Sequence, residues 1–543
     1  MTVQLIVLII YFVGMIGMGL YWNKRASSSS EDFMLGGRSM GPLVTALTLQ
    51  TTAMSGYMFM GGPAFAYEVG WFAVFYAVGD AGGGLVNISI LGRRMRRLSQ
   101  LLDAISPIEY LEKRYESIPV KVIAIIISIF GLGGYVLAQF LAAGKTMVSL
   151  FHFPFATGLI IGAAVILLYT FIGGYFAVAW TDVVQGFIMI GTLIGVLILA
   201  LVKVGGFTEL NEKLAAIDPT YLSVWGKGLQ YNGAYGVIAG SILIYLIGYM
   251  GLPHCVNKHM AMESPQVAKK TVVYATIWTQ LFCFTPYILG LFGIILLPNL
   301  DISTNENELV IPMLADMMFP SIVSAVVLTA IMSAIMSTVA ALLLLIGTLV
   351  SVDFYKRWIN PDATDKKVVF LSRISIIAVG IISIIVAVIQ PPAVFGLVVF
   401  AFGVMASAFL PSYVCAVWWN KANSTGSCAS MILGGGTAFV WTAKNLEAST
   451  SMHPFLAGVI VSWIAMIIGS QFGKPTSPEM NELVNRAKGK RADVSPKMQA
   501  AASSNLTAEN KAVSQFVFGT KSLAGSEAKI ERIFNRGDIE LTC

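Results

Sequence analysis

Charge is what this chain has least of. Of its 543 residues only 12% are Asp, Glu, Lys or Arg, and histidine occurs four times. A soluble domain of this length carries about a quarter charged residues, so a soluble globular protein is excluded. Five cysteines (Cys255, Cys283, Cys415, Cys428 and Cys543) have neither the density nor the spacing of a disulfide framework or a metal site. No Gly-rich loop runs into Lys-Ser or Lys-Thr, since Gly434-Gly-Gly436 lies in an apolar run; this disfavours ATP-driven transport. The spans hold no His/Asp metal cluster and no Ser-His pair, which disfavours an intramembrane enzyme. No selectivity-filter sequence or ring of acids suggests a channel, and no kinase-like or receiver-like segment suggests a sensor. The first apolar run lacks a basic start and a small-residue cleavage site, so it reads as a spanning helix and not as a cleaved signal. Nothing points to a nucleic-acid partner, and the oligomeric state is not legible.

What the chain has in excess is hydrophobicity, at 56% of residues. Apolar runs of about 18 residues or more recur, each long enough to span a bilayer. Inside lipid the backbone must satisfy its own hydrogen bonds, so these runs are helices. The expected fold class is an all-α polytopic membrane protein. We place thirteen spans at about 3–21, 41–64, 70–92, 119–146, 154–174, 177–203, 231–254, 271–297, 319–352, 371–390, 393–419, 427–444 and 452–473. The membrane domain is thus 1–473. Residues 474–543 are polar, rich in Ser, Ala, Asn and Lys, and read as a mostly disordered cytoplasmic tail. The terminal Leu541-Thr542-Cys543 is not a prenylation motif.

Charges sort by side in this scheme. Lys24, Arg25, Arg38, Arg93, Arg94, Arg96, Arg97, Lys113, Arg114, Lys121, Lys258, Lys269, Lys270, Lys356, Arg357, Lys366 and Lys367 fall on one face, with the basic start of the tail. Glu68, Glu209, Glu212, Asp301, Glu306, Glu308 and Glu447 fall on the other. The positive-inside rule then puts the N-terminus outside and the C-terminus in the cytoplasm, with the chain expected in the plasma or inner membrane.

Two spans are interrupted. The second contains Ser55-Gly56 and Gly61-Gly-Pro63, and the seventh contains Gly248, Gly251 and Pro253. Broken helices at membrane depth line cavities or are buried in protein, and paired breaks mark a secondary transporter's central site. In the ninth span, Ala334, Ser337 and Thr338 fall at i, i+3 and i+4, on one helix face. Two hydroxyls and a small residue there suit either a hard cation or close helix packing. Asp80, in Val78-Gly-Asp-Ala-Gly-Gly83, stands in a span with no neighbouring cation; such a carboxylate usually faces a cavity or a partner.

Tyr169-Thr-Phe-Ile-Gly-Gly-Tyr-Phe-Ala-Val-Ala-Trp-Thr-Asp-Val-Val-Gln185 resembles the hallmark segment of the sodium/solute symporter family. Asp32-Phe33 with Leu35-Gly-Gly-Arg-Ser-Met-Gly41, Gly251-Leu-Pro-His254 and Ile335-Met-Ser-Thr338 also resemble it, and the likeness extends over about residues 3–473. It is nearest to the branch of sodium/proline and sodium/pantothenate symporters. The resemblance implies a core of two inverted five-helix repeats, here about 41–203 and 231–419. It implies sodium-coupled import of a small organic solute by alternating access, with sodium as co-transported ion. Carried over by position, sodium would be held by the carbonyls of Thr51, Met54 and Ala334 and the hydroxyls of Ser337 and Thr338. That favours the ion site over packing.

Two departures matter. Ala53 stands where proline symporters have an aspartate, and Ala340 and Ala341 stand where relatives with a second sodium site have serines. One sodium per cycle is the expectation. Asp182 lies along the family's ion-release route, or is simply a helix N-terminal carboxylate. Asp80 is near a solute-contacting acid of sugar carriers; it would contact solute, or sit protonated as a hydrogen-bond donor. Between the breaks, Ser55 and Gly56 offer N–H groups to a solute carboxylate. Tyr245, Tyr249 and Pro253, at i, i+4 and i+8, match the solute-facing positions of proline carriers. Phe400 and Phe402 are a lid or packing, and His254 is structural. The solute class is a small monocarboxylate such as proline or pantothenate.

Overall fold

The computed structural model describes residues 2–151, 154–228, 235–389 and 394–489. Most of the expected tail, from residue 490 onward, lies outside the described residues. Among the described residues there are helices and no β-strands. In chain order the elements used below are α1 (Thr2–Ala26), α2 (Pro42–Ala53), α3 (Gly56–Phe59), α4 (Gly61–Val69), α5 (Val74–Asn87), α6 (Arg93–Leu101), α7 (Pro107–Tyr115), α8 (Ile118–Phe151) and α9 (Phe155–Val204). There follow α10 (Tyr235–Leu246), α11 (Pro253–Met260), α12 (Val267–Phe282), α13 (Thr285–Leu296), α14 (Ser321–Thr348), α15 (Asp365–Ile389), α16 (Val394–Trp418), α17 (Ser424–Ala443), α18 (Pro454–Phe472) and α19 (Pro478–Ala487).

Nine of the described helical segments are long and apolar enough to cross a membrane. The difference from thirteen lies at four places. The second and seventh expected spans are broken into pieces, the fifth and sixth form one helix, and α17 carries Ser, Thr and Gly along its length. α9 has 50 residues, about 75 Å at 1.5 Å per residue. A hydrocarbon core is about 30 Å thick, so this helix cannot cross straight. It folds at Gly174, whose φ of 53° and ψ of −153° suit glycine alone. A Cβ there would also lie 2.9 Å from the carbonyl oxygen of Phe33.

α14 is the axle of the fold. It is buried on every side from Val327 to Thr348, as a helix surrounded by other helices must be. α1, α2, α8, α9 and α15 pack around it, and α1 exposes Ile6, Ile9, Ile10 and Val13 on its outer face. α5 lies against α10 through glycines: a Cβ on Gly83 would stand 2.5 Å from the carbonyl oxygen of Tyr245. Small residues let membrane helices approach this closely, and the approach carries Asp80 to the aromatic face of the broken seventh span.

Several basic residues that the sequence assigns to cytoplasmic loops are ties between elements. Arg114 Nε donates to Ala416 O at 2.8 Å, Arg96 Nε donates to Met262 O at 2.5 Å, and Lys121 pairs with Glu112 at 2.6 Å. The start of the tail is ordered: Ser477 caps α19 by accepting from Met480 N at 3.1 Å, as N-cap serines do. Its hydroxyl donates to Glu116 at 2.7 Å, and Met480, Val484 and Ala487 are buried.

Candidate cation and solute site

The break in the second span is local and complete. α2 ends at Ala53; Met54 takes φ −92° and ψ 73°, and Ser55 is extended before α3 begins. Helical carbonyls just before such an end lose their partners four residues on. Two of them find side chains of α14 instead. Ser337 Oγ lies 3.1 Å from Thr51 O and 3.0 Å from Ala334 O. Thr338 Oγ1 lies 3.0 Å from Thr52 O and 3.2 Å from Ala334 O. Both hydroxyls are fully buried, not turned to lipid.

Thr51, Ala334, Ser337 and Thr338 therefore meet, with Met54 at the break itself. Thr52 joins them, although its carbonyl was not among the expected ligands. The break re-aims two successive carbonyls, and a motif comparison names only one. The result is a buried cluster of neutral oxygens, and oxygen donors suit hard cations.

The seventh span breaks differently from the expected single helical face. α10 stops at Leu246, a tight turn spans Gly248–Gly251, Leu252 is extended, and Pro253 opens α11. Proline is welcome there because its missing N–H would have no helical partner. Tyr245, Tyr249 and Pro253 thus do not share one continuous helix face, which corrects the i, i+4, i+8 reading. The two tyrosines nevertheless converge. The Tyr245 ring stacks on Tyr57 at 5.5 Å and on Tyr249 at 5.9 Å, and Phe402 sets its edge against both at 5.0 and 5.3 Å. Phe400 turns away to Phe130 and Phe439, so of the two only Phe402 closes over this group.

Asp80 sits within the aromatic group, fully buried. Tyr57 OH donates to its Oδ2 at 2.9 Å, and Tyr249 OH donates to its Oδ1. It forms no ion pair among the described residues. Two tyrosine hydroxyls, one at each carboxyl oxygen, thus hold the group in place. The hydroxyl of Tyr287 is buried without a hydrogen-bond partner among the described residues, and that of Tyr245 has only Tyr57 beside it. Buried polar groups left this way are rare.

Ser55 and Gly56 are less available than expected. Gly56 N donates to Gln139 Oε1 at 2.9 Å, while Tyr135 OH and Gln139 Nε2 reach Ser55 Oγ at 3.0 and 3.1 Å. Tyr57, Tyr135 and Gln139 were not predicted as site residues. Gln139, inside the apolar α8, was the legible signal, because an amide there needs a partner. His254 is buried against the Tyr135 ring at 5.7 Å.

Asp182, on α9, is fully buried. Thr48 donates to its Oδ2, and Lys258 Nζ stands 3.8 Å from the same oxygen. Lys258 is 1% exposed, not a loop cation. The lysine lies in the last turns of α11, a helix buried in the protein along its whole length.

A profile described as the Sodium:solute symporter family matches residues 33–434. The osmoregulated proline transporter OpuE of Bacillus subtilis is 30% identical over 478 residues, covering 87% of this chain and 96% of that one. The sodium/proline symporter of Staphylococcus aureus is 29% identical over 480 residues, covering 86% and 92%. Among solved structures, a sodium-coupled sialic acid symporter in a substrate-bound outward-open state superposes with a TM-score of 0.68 at 19% identity. It covers 88% of this chain and 99% of its own, a likeness of fold. These relatives are transporters and not enzymes. The chain, an all-helical membrane protein with broken second and seventh spans, belongs to the sodium:solute symporter family.

Proposed function

We propose that this protein is a sodium-driven symporter that imports a small organic solute by alternating access, one sodium per cycle. The observation that carries the reading is the meeting of the Ser337 and Thr338 hydroxyls with the carbonyls freed at the break after Ala53. Sodium, bound there by Thr51, Met54, Ala334, Ser337 and Thr338, stabilises the solute-competent state, and each ligand raises the other's affinity. The protein lies in the cell membrane with its N-terminus outside and its C-terminus in the cytoplasm.

The solute binds between the two breaks, against Asp80, Tyr245 and Tyr249, with Ser55, Gly56 and Pro253 at its edge. Gly56 N–H would exchange Gln139 for a solute carboxylate. An unpaired buried carboxylate is costly, and aromatic faces attract cations. Both favour a solute that brings an ammonium group. Proline has one; pantothenate is a carboxylate with no amine. Amino acids of the proline type are therefore the favoured class.

Uptake of labelled proline and labelled pantothenate into proteoliposomes tests this. Proline should accumulate only with an inward sodium gradient. Equal accumulation with potassium alone on both sides would overturn sodium coupling. Preferential uptake of pantothenate would overturn the solute assignment and leave the coupling standing.

A further inference from the structure

Asp182 is expected on the path by which the ion leaves, yet a cation of the protein's own already stands beside it. Lys258 Nζ donates to Thr48 Oγ1 at 2.9 Å, and Thr48 in turn donates to Asp182 Oδ2. The ammonium is 3.8 Å from that oxygen and 5.0 Å from the centre of the Tyr175 ring. Both side chains are 2% exposed or less. Asp182 Oδ1 and Thr52 Oγ1 are buried, neither makes a close hydrogen bond among the described residues, and the Thr52 hydroxyl stands beside the carboxyl. Thr48 lies one helical turn below Thr52, whose carbonyl takes the Thr338 hydroxyl. A Cβ on Gly186, one turn beyond Asp182 on α9, would touch the Thr51 side chain at 3.0 Å. The carboxylate and the candidate ion site are thus one turn apart, about 5 Å.

We propose that Lys258 is a tethered counter-cation that holds Asp182 while sodium sits at Ser337 and Thr338, and that sodium displaces its ammonium on leaving. This rests on the symport reading above. A buried carboxylate needs a cation, and two cations within about 4 Å of one another repel. Sodium and the ammonium therefore exclude each other at Asp182. Oδ1, with which no cation is paired among the described residues, gives the ion a first foothold beside the Thr52 hydroxyl, and the ammonium then withdraws. Because Lys258 rides on α11 while its partners ride on α2 and α9, its withdrawal releases the inner half of the broken seventh span from the rest. Its return after the ion departs closes the path again. Ala340 and Ala341 offer no hydroxyls to help a second sodium compete, so the lysine also keeps the count at one.

The test is equilibrium binding of radioactive sodium to the purified full-length chain, which needs no knowledge of the solute. Wild type and K258R should bind one sodium per chain. K258M leaves Asp182 uncompensated, and binding at saturation should roughly double, because the bare carboxylate takes a cation. D182N/K258M removes both charges and should return to one. K258M binding the same single ion with unchanged affinity overturns the proposal. D182N in the otherwise native chain is the second variant. It should keep one sodium with near-native affinity, and loss of that ion would make Asp182 the resting ligand and overturn the proposal even if K258M does not fold. A wild type that binds no sodium would overturn the symport reading itself.

Discussion

Replacing Thr338 by Val is the sharpest test of the ion site, because it changes chemistry and almost no volume. Thr338 is fully buried, so the new methyl fills the place of the hydroxyl and leaves no cavity. What disappears is one oxygen, 3.0 Å from Thr52 O and 3.2 Å from Ala334 O. A polar contact to a charged group contributes about 1.5–3 kcal/mol, and each 1.4 kcal/mol is a factor of ten. The sodium concentration for half-maximal uptake should therefore rise about 10- to 150-fold. Solute affinity at saturating sodium should change little. Thr338→Ser keeps the oxygen and should stay close to wild type. Without sodium, the Thr52 carbonyl loses its partner in Thr338→Val, so a modest loss of thermal stability is expected too. The assay is initial uptake in proteoliposomes across a sodium series at constant ionic strength. An unchanged sodium dependence in Thr338→Val, with the protein folded, would show that the hydroxyl only packs α14 against α2.

Other outcomes follow from the same geometry. Asp80→Asn should reduce solute uptake about a hundredfold or more, the scale of losing a buried charge partner, while sodium binding persists; full uptake would remove Asp80 from the solute site. Gly83→Ala should lower the melting temperature and weaken solute binding, because its Cβ would stand 2.5 Å from Tyr245 O and 2.6 Å from the Tyr249 ring; wild-type behaviour would mean that α5 can retreat freely. Sodium-to-solute flux should be one to one, and a measured two to one would contradict the reading of Ala340 and Ala341. Burial pushes the carboxyl of Glu447, in the turn before α18, up to about 7 from an ordinary 4.5. The folded chain then holds that proton more tightly than the unfolded one, so the contribution of Glu447 to stability is fullest below about pH 4.5 and is lost as pH rises through 7. Glu447→Gln should flatten this slope in melting curves between about pH 5 and 8, and an unchanged slope would show that Glu447 does not contribute.

The sequence revealed the helical class, both broken spans, the hydroxyl pair and the lone Asp80, because each is a local pattern or a local anomaly. A polar residue in an apolar run announces itself. The partners did not. Tyr57 and Tyr249 reach Asp80 across sequence separations of 23 and 169 residues, and tyrosine in a membrane helix is otherwise unremarkable. Lys258 was misplaced for a different reason. It follows a span by only a few positions, and charge counting assigns any such lysine to the loop. Only the unwinding at Gly248–Gly251 shows that the chain has not yet left the protein. The i, i+8 alignment of Tyr245 with Pro253 failed on the same turn, since periodicity assumes that the helix continues.

The fold in α9 at Gly174 leaves no loop where two membrane crossings join. A protease would find no exposed segment to cut there, and an epitope tag or reporter inserted at that joint would have to displace Phe33, which packs against Gly174. Mapping the topology by insertion would therefore return a false negative at this bend, however the chain is oriented. The capped end near Gly205 and Gly206, where the second of the two crossings finishes, is the place to put a probe.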